Sequence, residues 1–187
     1  KQRMLQDLAM LRSSPDGRKM LLAMDDIHEQ TKAIAADWPI LGGIAYQGDT
    51  ITIREYPGDD NSTSSYSETP FGLSRSNEIK QSRSINELYP GTEAVWQEAP
   101  PVVILFHELA HQYDYGYETT VDGDYEGSDD PGVRNSERQA VGLPVDHDDD
   151  PSTPNRITPD HPIEYTENGL RREMGLPDRE RYGRPPR

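Results

Sequence analysis

The chain has 187 residues, of which only 32% are apolar while Gly and Pro number 15 and 16, so one domain with a modest core and long loops is expected. A net charge of −15 disfavours nucleic acid and anionic membrane as partners, and no run approaches the ~18 apolar residues of a membrane span. With no Cys, disulfides and thiolate metal sites are excluded.

Residues 2–12 place Met4, Leu5, Leu8 and Leu11 on one face, which predicts an amphipathic helix ending at Ser13-Ser14-Pro15. Asp16-Gly17 reads as a turn, after which Met20, Leu21, Met24 and Ile27 renew the helical pattern to about Lys32. Met20 and Met24 read as core fillers, and the lone His28 as a surface or core residue rather than a ligand. The first 30 residues lack the apolar centre of a signal peptide, and the chain opens on Lys1 rather than Met, as expected where a leader or a larger N-terminal part has been removed.

Further on, Gly42-Gly43 and Gly48-Asp49 are turn pairs, and residues 50–56 alternate with period two in β-branched side chains, predicting a hairpin or small sheet. Such a strand either offers an edge to an extended peptide or is paired on both sides; both readings stand. Residues 57–100 are rich in Ser, Asn, Pro and Gly, with 61–67 reading as loop, and Ile79, Ile85, Leu88, Tyr89, Val95 and Trp96 tie the region to the domain.

The stretch 101–113 carries the chemistry. Val102, Leu105, Phe106, Leu109 and Tyr113 recur at three- and four-residue steps, so this is a helix with an apolar stripe and Pro101 in its first turn. His107 and His111, four apart, aim at one point, and Glu108 sits one step round the cylinder. Two imidazoles at that spacing can fill two corners of a tetrahedral Zn²⁺, and a neighbouring carboxylate can take a proton from the attacking water. A solvated helix is the bland alternative, disfavoured by the apolar run 102–106.

Beyond the helix, residues 114–167 hold 15 acids against 3 Arg, and 168–187 hold 6 Arg against 3 acids. The acidic stretch either solvates the chain or steers a basic substrate. The loop 122–130 imitates the first half of a calcium loop, with Asp122, Asp124 and Glu126 at alternate positions and Gly127 sixth, but Val133 stands where the bidentate Glu belongs. Asn135 or Ser136 can cap a short helix containing Glu137 and stopped by Gly142-Leu143-Pro144; Thr166 and Gly175 bound a last helix. Residues 1–178 are expected to form one domain and 179–187 a disordered basic tail.

The third ligand is left open by spacing alone. Asp114 and Tyr117 stand where a metzincin needs Gly and His or Asp. Glu137, on a later helix, suits the gluzincin arrangement; Asp114, Asp122, Asp124, Asp129, His147 and His161 compete with it, and helix-dipole stabilisation is its bland role.

Three blocks, residues 103–111, 132–144 and 166–177, resemble the bacterial effector metallopeptidases typified by NleD, the motif match running over about 102–182. The resemblance implies an α+β, minimal zincin-like fold of helices, a small mostly antiparallel sheet and long loops. It implies a zinc endopeptidase secreted or translocated into a target cell, where the NleD type cuts stress-activated MAP kinases in their activation loops; related domains form C-terminal toxin modules of larger secreted proteins, and a monomer is expected, though sequence does not fix the oligomeric state. By that likeness His107 and His111 are ligands, Glu108 the base, Glu137 the third ligand, and a target-cell protein the partner. The alternative is a non-proteolytic interaction domain with a zincin-like or Ca²⁺-stabilised structural site.

Overall fold

The fold is seen in a computed structural model that describes residues 2–36, 50–56, 63–68, 75–82, 87–88, 98–148, 150 and 152–183. The turn pairs expected at 42–43 and 48–49, and Ile85, Tyr89, Val95 and Trp96, lie outside them. The first two helices are α1 (Gln2–Ser13) and α2 (Pro15–Ala36). Asp16-Gly17 is not the expected turn but the first turn of α2: the Ser14 hydroxyl accepts from the Gly17 N–H at 3.0 Å, and Pro15 presets the helical φ. Leu11 and Met20 are fully buried, while His28 lies part-exposed on α2.

Three strands follow: β1 (Thr50–Tyr56), β2 (Thr63–Glu68) and β3 (Arg75–Ser82), in the order β1-β3-β2. β1 runs parallel to β3, with Ile53 beside Ile79, and β2 runs antiparallel to it. Among the described residues β1 pairs on one side only, with β3. The loop expected at 61–67 is largely strand β2. Its Ser-rich composition gives no local strand signal, and pairing with β3 supplies what composition lacks. A short ladder, β4 (Glu87–Leu88) with β5 (Glu98–Ala99), leads into the central helix.

That helix, α3 (Pro101–Tyr117), begins as expected at Pro101 and is buried along most of its length. Val102, Val103, Leu105, Phe106, Leu109 and Ala110 form the middle of the core, with Leu11, Met20, Ile79, Ala140 and Leu170 packed round them from the other elements. A helix apolar on nearly all sides belongs in an interior. The architecture is accordingly α+β, with five α-helices and a small sheet among the described residues, and none of the described helices is long and apolar enough to cross a membrane.

After α3, the ladder β6 (Asp124–Tyr125) with β7 (Val133–Arg134) delivers the chain to α4 (Asn135–Val141). Neither Asn135 nor Ser136 caps α4; the N-cap position is Arg134. Asn135 is instead spent holding the adjacent loops, its Nδ2 donating to Asp122 O at 3.1 Å and its Oδ1 accepting from Asp146 N at 3.1 Å. A 3₁₀ turn (Ile163–Tyr165) precedes α5 (Glu167–Glu173), where Thr166 Oγ1 accepts from Gly169 N at 3.2 Å and Gly175 adopts φ 70°, both as expected. Gly169 lets α5 pass against the Ile163 carbonyl, a backbone atom that cannot yield. Gly169→Ala should therefore cost about 1–3 kcal/mol, read as a lowered midpoint of thermal unfolding; an unchanged midpoint would show that the turn relaxes.

The basic tail departs from expectation. Over 179–183 it is packed rather than disordered: Arg179 is 2% exposed, and the Tyr182 and Gly183 N–H groups donate to Asp130 at 2.7 and 2.8 Å. Composition reads Arg179 as solvated, but the buried Glu167 carboxylate takes it as a counter-ion.

Candidate metal centre

On α3, one turn separates His107 from His111, so their rings meet edge to face with centroids 4.9 Å apart. α4 packs across α3 and brings Glu137 over the pair. Its Oε2 lies 3.2 Å from Nε2 of His107 and 3.2 Å from Nε2 of His111. The three ligand atoms fall within 4.8 Å of one another, and among the described residues no other three His, Asp or Glu side chains converge in this way. The imidazoles are 7% and 8% exposed but the Glu137 side chain is 30% exposed, so the cluster is backed by core and reaches solvent on the carboxylate side. Glu108 is buried on α3 next to His107, outside the converging three.

Of the competing ligands, Asp114, His161 and Asp129 are engaged elsewhere. Asp114 Oδ1 accepts from Thr119 Oγ1 at 2.7 Å and Gln139 Nε2 at 2.8 Å, and Nδ1 of His161 lies 2.8 Å away. His161 faces the Tyr165 carbonyl with its other nitrogen. Asp129 and Asp130 both hold the Arg138 guanidinium, which also lies over the Tyr125 ring at 3.6 Å. Asp122, Asp124 and Glu126 are exposed and do not gather round a point, and His147 is exposed beside the loop at Thr120 to Gly123. The imitation calcium loop thus serves as an anchor for Arg138 and the C-terminal segment.

One residue of the site escaped sequence reasoning: Glu167, completely buried at the start of α5, with Oε2 3.1 Å from Nδ1 of His107. The available signal was Arg171 four residues on, an ion-pair spacing on a helix, but nothing local tied that pair to His107.

Electrostatics follow from these neighbours. Burial opposes a charge on His107, but the carboxylates of Glu137 and Glu167 outweigh it and push the imidazole up to about 10. Burial likewise opposes ionisation of Glu137 and Glu167, yet the imidazoles hold Glu137 far below the carboxylate range, and Arg179, His107 and Arg171 do the same for Glu167. For the metal-free protein the signs are opposite. The stabilisation from His107 is complete below its ordinary 6.5 and is lost as pH rises through about 10, whereas that from Glu137 and Glu167 is present above 4.5 and lost on acidification. An imidazole must shed its proton to bind a metal, so metal affinity should rise with pH, by up to about tenfold per unit around neutrality. Chelator competition at pH 6.5 and 8 checks this; equal affinities would contradict it.

The chain matches the Peptidase M91 family, described as effector protein, over residues 1–182. It belongs to that family. No curated protein and no solved structure matches it. The M91 match begins at residue 1, and Leu11 and Met20 of the N-terminal helices lie in the same core cluster as α3. Family membership makes the chain a peptidase of the effector class, with a protein as its substrate.

Proposed function

We propose that the protein is a zinc-dependent endopeptidase, delivered from a bacterium into a target cell, where it cleaves a host protein of the signalling class cut by the NleD type. The observation that carries the reading is the convergence of two Nε2 atoms and one carboxylate oxygen, with N···O separations of 3.2 Å. Ligands ~2.0–2.1 Å from a tetrahedral zinc lie about 3.3 Å apart, so the donor types and the two N···O separations suit that ion. In this reading His107, His111 and Glu137 hold the metal, which supplies Lewis acidity to the substrate carbonyl and acidifies water.

The remaining steps belong to the chain's own residues. Glu108, held by α3 beside the histidines, receives the proton of the attacking water and returns it to the leaving amine. The core face of α3 fixes that geometry, since Leu105, Phe106, Leu109 and Ala110 lock the helix in place. The acidic surface of 114–167 turns away anionic partners, consistent with a protein substrate.

Zinc titration of Glu137→Gln tests the ligand set. A neutral amide in place of the anionic ligand should weaken zinc at least tenfold and lower activity with it, while the fold persists because Glu137 does not cap α4. Unchanged affinity in Glu137→Gln, with a drop in Asp114→Asn, Asp124→Asn or Asp129→Asn, would move the third ligand into the loops.

A further inference from the structure

Glu167 takes no part in the proton transfers of Glu108, yet its carboxylate has three buried partners. Its Oε1 accepts from Arg171 Nε at 2.7 Å, and its Oε2 accepts from Arg179 Nη1 at 2.8 Å while lying 3.1 Å from His107 Nδ1. The last approach is a close ionic contact rather than a straight hydrogen bond. All three partners are buried: Arg171 is 0% and Arg179 2% exposed, and His107 is 5%. A carboxylate fixed between two guanidiniums stays ionised and can only accept. His107 must then present its proton on Nδ1, which leaves the Nε2 lone pair directed at the point shared with His111 and Glu137.

The second guanidinium comes from the C-terminal segment, and that segment is tied down at several points. Asn168 on α5 grips the Arg179 backbone from both sides, donating to its carbonyl at 3.0 Å and accepting from its N–H at 2.7 Å. Arg179 in turn donates to the carbonyls of Arg181 at 3.2 Å and Tyr182 at 2.8 Å. The strap then ends on Asp130, which is paired with Arg138, the neighbour of Glu137 on α4. It brings the Tyr182 ring within 6.0 Å of the His107 ring on the way. Residues 177–183 thus join the helix that supports His107 to the helix that supplies Glu137.

We propose that Glu167 is a positioning residue for His107, and that the C-terminal strap, through Arg179, is an integral part of the metal centre. The inference rests on His107 being a ligand through Nε2. It accounts for three buried charges at one spot, an arrangement that is costly unless each has a partner.

The test compares zinc affinity, by chelator competition, in wild type, Glu167→Gln and Arg179→Lys, with the thermal melt of each metal-free protein recorded alongside. Loss of such an outer carboxylate should weaken zinc by about 10–100-fold. Arg179→Lys, which keeps the charge but loses the forked geometry, should fall between Glu167→Gln and wild type. A purely structural role would shift the melts and leave the affinity of the folded protein alone. The spectroscopic signature needs no variant: long-range ¹H–¹⁵N spectra of zinc-loaded wild type should show His107 protonated at Nδ1 and bound through Nε2. If Glu167→Gln fails to fold, Arg179→Lys and the wild-type spectrum carry the decision. Unchanged affinity in a folded Glu167→Gln, or His107 bound through Nδ1, overturns the positioning role while leaving the zinc site standing. A wild type that takes up no zinc overturns the site itself, and the inference with it.

Discussion

Glu108→Ala should keep its zinc and lose turnover by ~10²–10⁴-fold, the usual contribution of a general base. Glu108 lies beside His107 on α3 but outside the three converging ligand atoms, so its removal takes away a proton acceptor without opening the metal site. It is 6% exposed, and trimming it to Ala leaves the apolar packing of Leu105, Phe106 and Leu109 intact. Metal content and circular dichroism should therefore match wild type, with the loss confined to kcat. Turnover at the wild-type rate would remove Glu108 from the mechanism.

His107→Ala should cost both metal and activity. Two neutral imidazoles and one carboxylate make three protein ligands, and a zinc site reduced to His111 and Glu137 no longer holds the ion at working concentrations. His107 has the further distinction of joining two carboxylates, at 3.2 Å to Glu137 and 3.1 Å to Glu167, so its loss also leaves Glu137 with one imidazole fewer to offset its charge. Activity should fall to the background of the uncatalysed reaction, and dialysis against zinc should not restore it. His111→Ala should behave alike in metal content but more mildly in stability, because His107 then keeps its contact with the buried Glu167. Wild-type zinc content in a folded His107→Ala protein would contradict the ligand assignment.

How much of this was legible in the sequence depends on how local each signal is. The two histidines and Glu108 could be read directly, because helical periodicity places residues four apart on one face whatever else the chain does. Pro101, Thr166 and Gly175 marked helix ends for the same reason: capping is settled within a turn. Glu137 could be nominated only by analogy and by its place in a short helix, since the packing of α4 across α3 is what sets it over the histidines. β2 was invisible because its strand character is conferred by β3.

Charge was the least legible property. Arg179 reads as part of a solvated basic tail, and Asp129 and Asp130 as part of an acidic or calcium-like loop. In the fold Arg179 is the partner of Glu167, and the two aspartates hold Arg138. Composition counts charges but cannot pair them across separate elements, and it is the pairing that decides which are buried. The calcium-loop likeness is a property of local order alone: alternate acids in sequence need a loop that turns them inward, and here Asp122, Asp124 and Glu126 face solvent.

The claim that the site is a working endopeptidase centre is tested most directly by new protein termini. Target-cell lysate incubated with zinc-loaded wild type, and separately with Glu108→Ala of verified equal zinc content, should differ in one respect: a small set of internal cleavages appears with wild type and is absent with the variant. Identical termini in the two incubations would contradict the reading, because the metal would then be present and Glu108 would have no part in any cleavage observed.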